Sequence, residues 1–187
     1  MPEFFNVLPP AQALKVLLDR LEPRPVSPAM DVPITEALGR VTAQVTHATE
    51  DLPSFPRSTM DGYSLRAADT FGASEGTPAY FTIAGDVPMG KPAGVSVGTG
   101  NAALAYTGGM LARGADAVIM VENTQQVDAT TIEVIRPVAH GENVVQPGED
   151  VKRGEVILPA GHYLRPQDLG GLTAMGITAV SVAAKPR

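Results

Sequence analysis

Apolar side chains recur at helical spacing near the start of the chain. Four leucines occupy the i, i+3, i+4 and i+7 positions of a single helical face: Leu14, Leu17, Leu18 and Leu21. A Pro-Pro pair at residues 9–10 comes just before them, where the fixed φ angle of proline suits the first turn of a helix. This pattern predicts an amphipathic helix that begins at the proline pair.

Two further stretches have the features of short helices. Residues 32–40, "VPITEALGR", predict a short helix that ends at Gly39, because glycine readily adopts the left-handed backbone that follows a helix. Residues 165–176, "RPQDLGGLTAMG", predict a helix with Pro166 at its start and Gly176 at its end.

Short β-prone runs dominate the middle of the chain, from Leu52 to about Val138. Gly, Pro, Asn and Asp separate these runs, which read "PAYFTIAG", "NAALAYTGG", "ADAVIMVEN" and "TTIEVIRPV". Two segments outside this region, "VTAQVTHA" and "ITAVSVAA", are also predicted to be extended. The sequence therefore predicts a small β-domain with helical segments on both sides of it.

The simplest packing pairs the two ends of the chain. We predict an α+β, mostly β, fold in which residues 1–51 and 140–187 form a discontinuous, elongated lobe that contains the helices. The small β-domain, residues 52–139, is inserted between them. With 44% hydrophobic content, the 187 residues can bury a core in one compact unit or in two small ones.

Charge and composition exclude several classes of function. The chain has 14 basic and 20 acidic residues and a net charge of −6, so its long-range field disfavours nucleic acid. It has no cysteine, which excludes disulfides and thiolate metal sites, and its three histidines lie too far apart in sequence for a local zinc motif. No run of 18 apolar residues and no targeting segment is present, so we predict a cytoplasmic protein that binds no membrane.

The stretch "FPRSTMDGYSLRAADT", residues 55–70, combines a predicted turn with many polar groups. In one interpretation, Asp61 and Gly62 form the tight turn of a hairpin, because Asp-Gly tolerates the positive φ angles that such turns require. In the other, the same turn holds the Asp61 carboxylate at the rim of a site. Local sequence alone favours the turn.

Other polar groups follow apolar runs further along the chain. The "YTGG" stretch, residues 106–109, has two interpretations: backbone N–H groups that bind an anion, or simple punctuation between a strand and a turn. Glu122 ends a buried run, and Glu149 and Asp150 lie together in a predicted turn. No spacing among these acids is diagnostic of catalysis, and no dinucleotide-binding, P-loop or nucleophile-elbow motif occurs.

Four separated motifs nevertheless occur in an order that is informative. These are "PSFPRSTMDGYSLRAAD", "IAGDVPMGKPAG", "YTGGMLARGADAVIMVENT" and "GENVVQPGEDVKRGEVILPAGHYLRPQDLGGLTAMGITAVSV". Together they resemble the N-terminal region of the MoeA/gephyrin family, the molybdopterin molybdenumtransferases, from about Pro9 to the end of the chain. The resemblance implies an enzyme of molybdenum cofactor biosynthesis that inserts molybdenum from molybdate into adenylylated molybdopterin, with Mg²⁺ assisting the removal of AMP. It also implies an elongated homodimer, in which the β-domain of one subunit faces a later α/β domain of the other.

The resemblance assigns roles to five residues through the motifs that they match. The carboxylate of the Met-Asp-Gly-Tyr motif falls on Asp61, the threonine of the Thr-Gly motif on Thr107, and the acid of the Gly-Glu-Asp motif on Asp150, which implies three catalytic residues. Glu122 and Ser58 are implied as substrate-binding residues. Because carboxylates repel anionic substrates, we expect Asp61 and Asp150 to act by holding a metal, at a Mg²⁺ or molybdate site, or by positioning a water.

The chain also departs from the family pattern. Ser64 stands where alanine is usual, and residues 109–113, "GMLAR", stand where an alanine and a proline commonly fall between the Thr-Gly and the Gly-Ala-Asp motifs. Pro186-Arg187 ends the sequence where the family continues into its α/β domain, so we expect the chain alone to be inactive. The alternative function is a non-catalytic dimerisation or scaffold module.

Overall fold

In the computed structural model, residues 7–20 and 28–185 are described. They form two α-helices and twelve strands, joined by short 3-10 turns. The helices are α1 (Pro10–Arg20) and α2 (Pro166–Ala174). The strands are β1 (Ala29–Pro33), β2 (Thr46–His47), β3 (Arg57–Ser58), β4 (Gly62–Leu65), β5 (Ala79–Asp86), β6 (Asn101–Ala105), β7 (Ala117–Met120), β8 (Thr124–Gln126), β9 (Thr131–Val134), β10 (Val144–Val145), β11 (Val156–Leu158) and β12 (Ala179–Ala183).

The predicted helices are present with one change. Helix α1 begins at Pro10 and carries the predicted leucine face, although Leu21 lies outside the described residues. Helix α2 begins at Pro166, and Gly176 follows it with a φ of 70°. The helix predicted over 32–40 is instead a single 3-10 turn, because only one turn of chain separates β1 from Gly39 at a φ of 72°.

The described chain divides into two compact units, the first formed by residues up to 46 and from 156 onward. In this unit, β1 pairs antiparallel with β12 from Ala29↔Ala183 to Pro33↔Ala179. Seven side chains form its core: Val32, Ala37, Leu158, Leu164, Leu172, Val180 and Val182. The core therefore joins residues from both ends of the sequence.

Helix α2 is anchored at its first turn by Asp168. The Asp168 carboxylate accepts a hydrogen bond from the backbone N–H of Arg165 at 2.8 Å and bonds His162 Nε2 at 2.9 Å. The Arg165 side chain, and after it the His162 ring, lower the pKa of Asp168 well below its usual range. These bonds satisfy groups at the start of the helix, so the cluster serves the fold.

The second unit, residues 47–155, contains a six-stranded sheet in the order β7-β4-β6-β5-β9-β8. All neighbouring strands are antiparallel except β5 and β6, which are parallel, and the register of this pair shifts between Ile83 and Asp86. One face packs a core that includes Leu65, Phe81 and Ile119, whereas Val118 belongs to a second cluster. The sheet is curled. Strands β4, β6 and β7 are largely buried on both faces, whereas β5 and β8 carry exposed residues.

The compact units do not divide the chain where composition changes. The predicted β-domain covers 52–139, whereas the second unit continues through residue 155. The reason is backbone pairing: Gly141 N–H donates to the Asp116 carbonyl at 2.8 Å, and Val151 N–H donates to the Leu52 carbonyl at 3.1 Å. These turn-rich residues complete the second unit, although they resemble loop sequence.

The hairpin predicted at Asp61 and Gly62 is wrong. Strand β4 begins at Gly62 and pairs with β6 and β7 on its two sides, whereas β3 pairs with β10. Gly62 does not have a positive φ. Glycine is required here for a different reason: a Cβ atom at this position would lie 1.9 Å from the carbonyl oxygen of Ile119.

The fold class is confirmed at the level of a mostly β protein with two helices in the described residues and a curled sheet. The insertion of one domain into another stays a prediction. No helix in the described ranges, 7–20 and 28–185, is long and apolar enough to cross a membrane.

The close approach at Gly62 predicts a large effect of a single methyl group. Gly62→Ala should lower the free energy of unfolding by about 3 kcal/mol, because the new Cβ must displace the Ile119 carbonyl of β7. The matched control is Gly76→Ala, where an added Cβ meets nothing within 4 Å. It should change stability by about 0.5 kcal/mol or less. Urea denaturation measures both variants, and equal midpoints would contradict the packing described for Gly62.

Candidate functional site

Asp61 and Thr107 are joined directly by hydrogen bonds. Asp61 comes immediately before β4, and Thr107 lies two residues after the end of β6, the strand that pairs with β4. The backbone N–H of Thr107 donates to Asp61 Oδ1 at 2.8 Å, and its hydroxyl donates to the same oxygen at 3.0 Å. Two residues that are 46 positions apart in sequence thus form one polar unit.

These two bonds orient the Asp61 carboxylate and favour its ionised form. The backbone N–H of Thr107, followed by its hydroxyl, lowers the pKa of Asp61 because both donors favour the ionised form. Both bonds reach Oδ1, and no hydrogen bond from any described residue reaches Oδ2. The side chain is exposed, so Oδ2 is available to a cation, a water or a substrate donor.

A second aspartate in the same unit makes the same two bonds in a local setting. Asp128 Oδ1 accepts the backbone N–H of Thr130 at 2.7 Å and its hydroxyl at 3.0 Å, across only two positions of sequence. This is the ordinary side-chain bond of a turn, and the bonds from Thr130 likewise lower the pKa of Asp128. Asp61 differs because its partner lies on another strand connection, so its bonds fix two loops against each other.

Ser58 shapes the approach to Asp61. Its hydroxyl is buried, donates to the Met60 carbonyl at 2.6 Å and lies 3.3 Å from the Met60 N–H. Its carbonyl accepts the Gly108 N–H at 2.7 Å, and its N–H donates to the Gly109 carbonyl at 2.9 Å. This geometry favours a positioning role for Ser58 over the predicted contact with substrate.

The backbone donors of residues 107–109, in the "YTGG" stretch, are engaged within the protein. Thr107 N–H bonds Asp61, Gly108 N–H bonds the Ser58 carbonyl, and Gly109 N–H bonds the Tyr106 carbonyl at 2.8 Å. They are therefore not available as a backbone site for anions. Of the two interpretations of this stretch, the turn at the end of a strand agrees with the structure, and its function here is to carry Thr107.

Asp150 is connected to this region through Arg57. Asp150 lies in an exposed turn, and its backbone N–H donates to the Leu52 carbonyl at 2.9 Å. Its Oδ2 lies 3.8 Å from Arg57 Nη2, and Arg57 is the residue before Ser58 on β3. No hydrogen bond joins Asp150 to Asp61 or Thr107 among the described residues. Of the three predicted catalytic residues, Asp61 and Thr107 are therefore in direct contact, whereas Asp150 forms only an exposed ion pair with Arg57.

Glu122 lies in the 3-10 turn that follows β7, and its side chain is exposed. The N–H of the preceding residue, Val121, donates to the backbone carbonyl of Asp61 at 3.2 Å. Glu122 is thus at the same end of the β4–β7 pair as Asp61. Its carboxylate forms no hydrogen bond or ion pair with any of residues 7–20 and 28–185.

The described residues contain no group of three or more His, Asp or Glu side chains arranged to hold a metal ion. Asp61 and Asp150 offer the oxygen ligands that Mg²⁺ prefers, and Mg²⁺ typically takes one or two carboxylates and completes its shell with waters and substrate phosphates. The donor types fit the predicted metal. A metal held by protein side chains alone does not fit.

Two cations near these residues were not among the predicted site residues. Arg57 reaches Asp150, and Lys91 lines a surface pocket with Gly108 and Gly109. Both occur in motifs that the sequence had marked, "FPRSTMDGY" and "IAGDVPMGKPAG". Their arrangement in space depends on the pairing of β3 and on the loop after β5, which spacing in sequence does not give.

The Asp61–Thr107 pair predicts a shift in the acidity of Asp61. Thr107→Val removes the hydroxyl donor but keeps the backbone N–H, so the pKa of Asp61 should rise and still stay below its ordinary value. Titration of the side-chain carboxyl by ¹³C NMR measures it. Thr130→Val is the control: it should raise the pKa of Asp128 and leave that of Asp61 unchanged. An Asp61 titration that Thr107→Val does not move would contradict the hydroxyl bond.

Comparison with known proteins agrees with the fold and with the order of the motifs. Residues 8–176 match the MoeA N-terminal region (domains I and II). The chain is 37% identical over 182 residues to a molybdopterin biosynthesis protein of Methanocaldococcus jannaschii, covering 95% of this chain and 43% of that protein. It is 29% identical over 181 residues to a molybdopterin molybdenumtransferase of Staphylococcus aureus, covering 97% of this chain and 42% of the relative.

A solved structure has the same fold. The crystal structure of the molybdopterin biosynthesis MoeA protein from Pyrococcus horikoshii OT3 superposes with a TM-score of 0.85 at 44% identity, and the match covers 97% of this chain and 47% of that one. The chain thus spans less than half the length of the relatives that it matches. Because the family match extends over most of the sequence and the folds agree, the chain belongs to the MoeA N-terminal region family.

Proposed function

We propose that the chain is the N-terminal part of a molybdopterin molybdenumtransferase, which inserts molybdenum from molybdate into adenylylated molybdopterin. Two findings support this proposal: the family match over residues 8–176 and relatives named molybdopterin molybdenumtransferase. The pathway is molybdenum cofactor biosynthesis. The proposal concerns the whole protein, since the chain corresponds to 42% of that relative.

One observation carries the chemical part of the proposal. Thr107 holds Asp61 through Oδ1 alone, in the ionised form, and leaves Oδ2 open to solvent. A carboxylate fixed in this way loses little side-chain freedom when it takes a ligand at its second oxygen. Molybdate and the pyrophosphate of an adenylylated pterin are anions, so a bare carboxylate repels them. Asp61 therefore acts on a cation or on a proton.

Mg²⁺, when bound, would supply positive charge against the phosphate oxygens as AMP leaves. Asp61 Oδ2 would hold it from this unit, and Asp150 contributes a second carboxylate if its exposed ion pair with Arg57 opens. The alternative role for Asp61 Oδ2 is to position a water as a general base, a role that the lowered pKa of Asp61 makes weaker than metal binding. In both roles Thr107 is a positioning residue, because its hydroxyl is committed to Asp61.

The other two site residues have smaller roles in this proposal. Glu122, exposed beside the Asp61 backbone, is available to accept a hydrogen bond from substrate. Ser58 holds the main chain that leads to Asp61. We propose that these groups need the remaining length of the protein to grip an anionic pterin nucleotide, and that the chain alone is therefore inactive. The cytoplasmic location stays a prediction.

Asp61→Asn tests the proposed chemistry. Asparagine keeps the shape and an acceptor oxygen for Thr107, but it removes the negative charge that a cation or a proton requires. In a chimaera that joins this chain to the remaining length of the Pyrococcus horikoshii relative, the rate of molybdenum insertion should fall by about 10²-fold or more. The melting temperature should barely change, since the free energy of unfolding shifts by about 0.5 kcal/mol or less.

Asp128→Asn is the matched control, because Asp128 makes the same pair of bonds to a threonine and has no proposed role in the reaction. It should leave the insertion rate unchanged. An Asp61→Asn chimaera with the parent's rate would contradict a chemical role for Asp61. Turnover by the 187-residue chain alone would contradict the need for the remaining domains.

We propose further that the protein is a homodimer. Helix α1 has no buried residue, and its leucine face is open in the described chain: Leu14, Leu17 and Leu18 are 56–57% exposed. Such a continuous apolar face is typical of a surface that another polypeptide covers. The same face favours the alternative function, a non-catalytic dimerisation or scaffold module. Only the insertion assay on the chimaera separates the two functions.

A dimer held through α1 predicts a specific response to charge. Light scattering at high micromolar concentration should give twice the monomer mass for the parent chain. Leu14→Glu with Leu18→Glu should give a monomer, because two carboxylates on this face cannot be buried without partners. Lys15→Glu, on the polar face, is the control and should leave the mass unchanged. A parent chain that is monomeric at this concentration would contradict the role of α1.

A further inference from the structure

Asn143 has a backbone conformation that side chains rarely adopt. Its φ of 58° is the one positive φ angle of any residue other than glycine within 7–20 and 28–185. Asparagine enters this left-handed region more readily than most residues, but still at a cost in energy. Asn143 comes directly before β10, in the motif "GENVVQPGED". Such a conformation persists only where the surrounding contacts hold it, so those contacts indicate its purpose.

Two hydrogen bonds connect Asn143 to separate segments of the second unit. Its side-chain Nδ2 group donates to the Val118 carbonyl of β7 at 2.9 Å, and this bond is partly buried. Its backbone carbonyl accepts the N–H of Thr59 at 3.0 Å. Thr59 comes two residues before Asp61. Asn143 therefore ties the segment that leads to Asp61 to strand β7.

This segment, residues 59–61, is held near both of its ends. At its start, the N–H of Thr59 bonds Asn143, and β10, which follows Asn143, pairs with β3, which precedes the segment. At its end, the Asp61 carbonyl accepts the N–H of Val121, the residue after β7, at 3.2 Å. The position of the segment relative to β7 thus depends on Asn143 at one end and on a direct backbone bond at the other.

The contacts of Asn143 differ from those of a residue that only shapes a turn. Asp128 is a residue of that kind, because its carboxylate bonds Thr130 two positions away. Asn143 donates instead to a residue 25 positions earlier in the sequence, and its carbonyl accepts from a third segment. Its side-chain amide therefore joins elements that are distant in sequence, and the loss of that amide releases one element from another.

We propose that Asn143 is a positioning residue for Asp61: by holding Thr59 against β7, it keeps the Asp61 carboxylate within reach of the Thr107 donors. Those two bonds have lengths of 2.8 and 3.0 Å, so a small displacement of the segment weakens both. The effect of Asn143 on molybdenum insertion rests on the function proposed above. Its effect on the contact between Asp61 and Thr107 does not, because that contact is formed within the 187-residue chain.

Asn143→Gly tests the proposal on the chain itself. Glycine adopts the left-handed backbone without strain but has no amide to donate to Val118. The readout is the hydrogen-exchange rate of the Thr107 amide, measured by NMR and divided by that of the Ile83 amide, which bonds the Thr130 carbonyl elsewhere in the unit. We expect this ratio to rise about tenfold, the factor that corresponds to one hydrogen bond.

Thr70→Val is the matched control for a loss of stability. The buried Thr70 hydroxyl donates to the Ala67 carbonyl at 2.7 Å and accepts the Val138 N–H at 3.0 Å, so this variant also removes buried side-chain bonds from the second unit. It should leave the exchange ratio unchanged, because these bonds do not involve residues 57–61. If Asn143→Gly does not fold, Asn143→Asp serves the same test: aspartate tolerates the left-handed backbone, but its ionised carboxylate has no hydrogen to donate.

In the chimaera, Asn143→Gly should lower kcat for molybdenum insertion about tenfold and leave KM nearly unchanged, because a displaced carboxylate weakens the transition state more than substrate binding. An exchange ratio equal to the parent's, or the same rise in Thr70→Val, would overturn the positioning of Asp61 by Asn143. The parent's rate in Asn143→Gly beside a reduced rate in Asp61→Asn would overturn its role in the reaction. The parent's rate in Asp61→Asn would contradict the proposed function alone, and the exchange ratio would still decide whether Asn143 positions Asp61.

Discussion

Strand β4 lies between β6 and β7. Its first residue, Gly62, lies so close to the backbone of β7 that there is no room for a side chain. The Gly62 Cα faces the Ile119 carbonyl so closely that a Cβ would meet the oxygen at 1.9 Å. A side chain at this position would disturb the pairing of β4 with β7, and β4 pairs with β6 on its other side. This pairing also fixes where the preceding residue, Asp61, leaves the sheet.

The pairing of β4 also determines which group contacts the Asp61 carboxylate. Because β4 pairs with β6, the end of β6 brings Thr107 within hydrogen-bonding distance of Asp61. The donors hold the carboxylate ionised and leave one oxygen open. The Asp61 side chain thereby joins two exposed loops by hydrogen bonds. The backbone of Ser58 adds two more hydrogen bonds, to Gly108 and Gly109. The fold and the candidate site share this one piece of backbone.

The sequence predicted the elements whose signals are local. Leucine spacing and prolines gave α1 and α2, and the β-prone runs predicted β5, β6, β7 and β9. The predicted Asp-Gly hairpin was wrong because a glycine can be needed for reasons other than a turn. Here Gly62 is needed because a side chain would clash with the backbone of Ile119, which is far away in sequence. The pairing of Asp61 with Thr107 was likewise beyond local patterns. Family motifs named both residues as site residues but not their contact.

Ser64 shows how a departure from the family pattern is accommodated. Its buried hydroxyl donates to the Ala103 carbonyl at 3.1 Å and accepts the Ala112 N–H at 3.3 Å. Ala112 lies within residues 109–113, the other departure from the resemblance. A hydroxyl at position 64 thus gives a partner to a buried donor in this chain. From the sequence the two departures looked unrelated, because their contact exists only across β4 and the loop after β6.

The Thr107 N–H donates to Asp61 Oδ1 and so joins the two loops. The most direct measurement is the scalar coupling through that hydrogen bond, between the ¹⁵N of the Thr107 amide and the ¹³C of the Asp61 carboxylate, at neutral pH. We predict a detectable coupling and slow exchange of the Thr107 amide proton with solvent. A Thr107 amide that exchanges freely and shows no coupling to Asp61 would contradict this hydrogen bond.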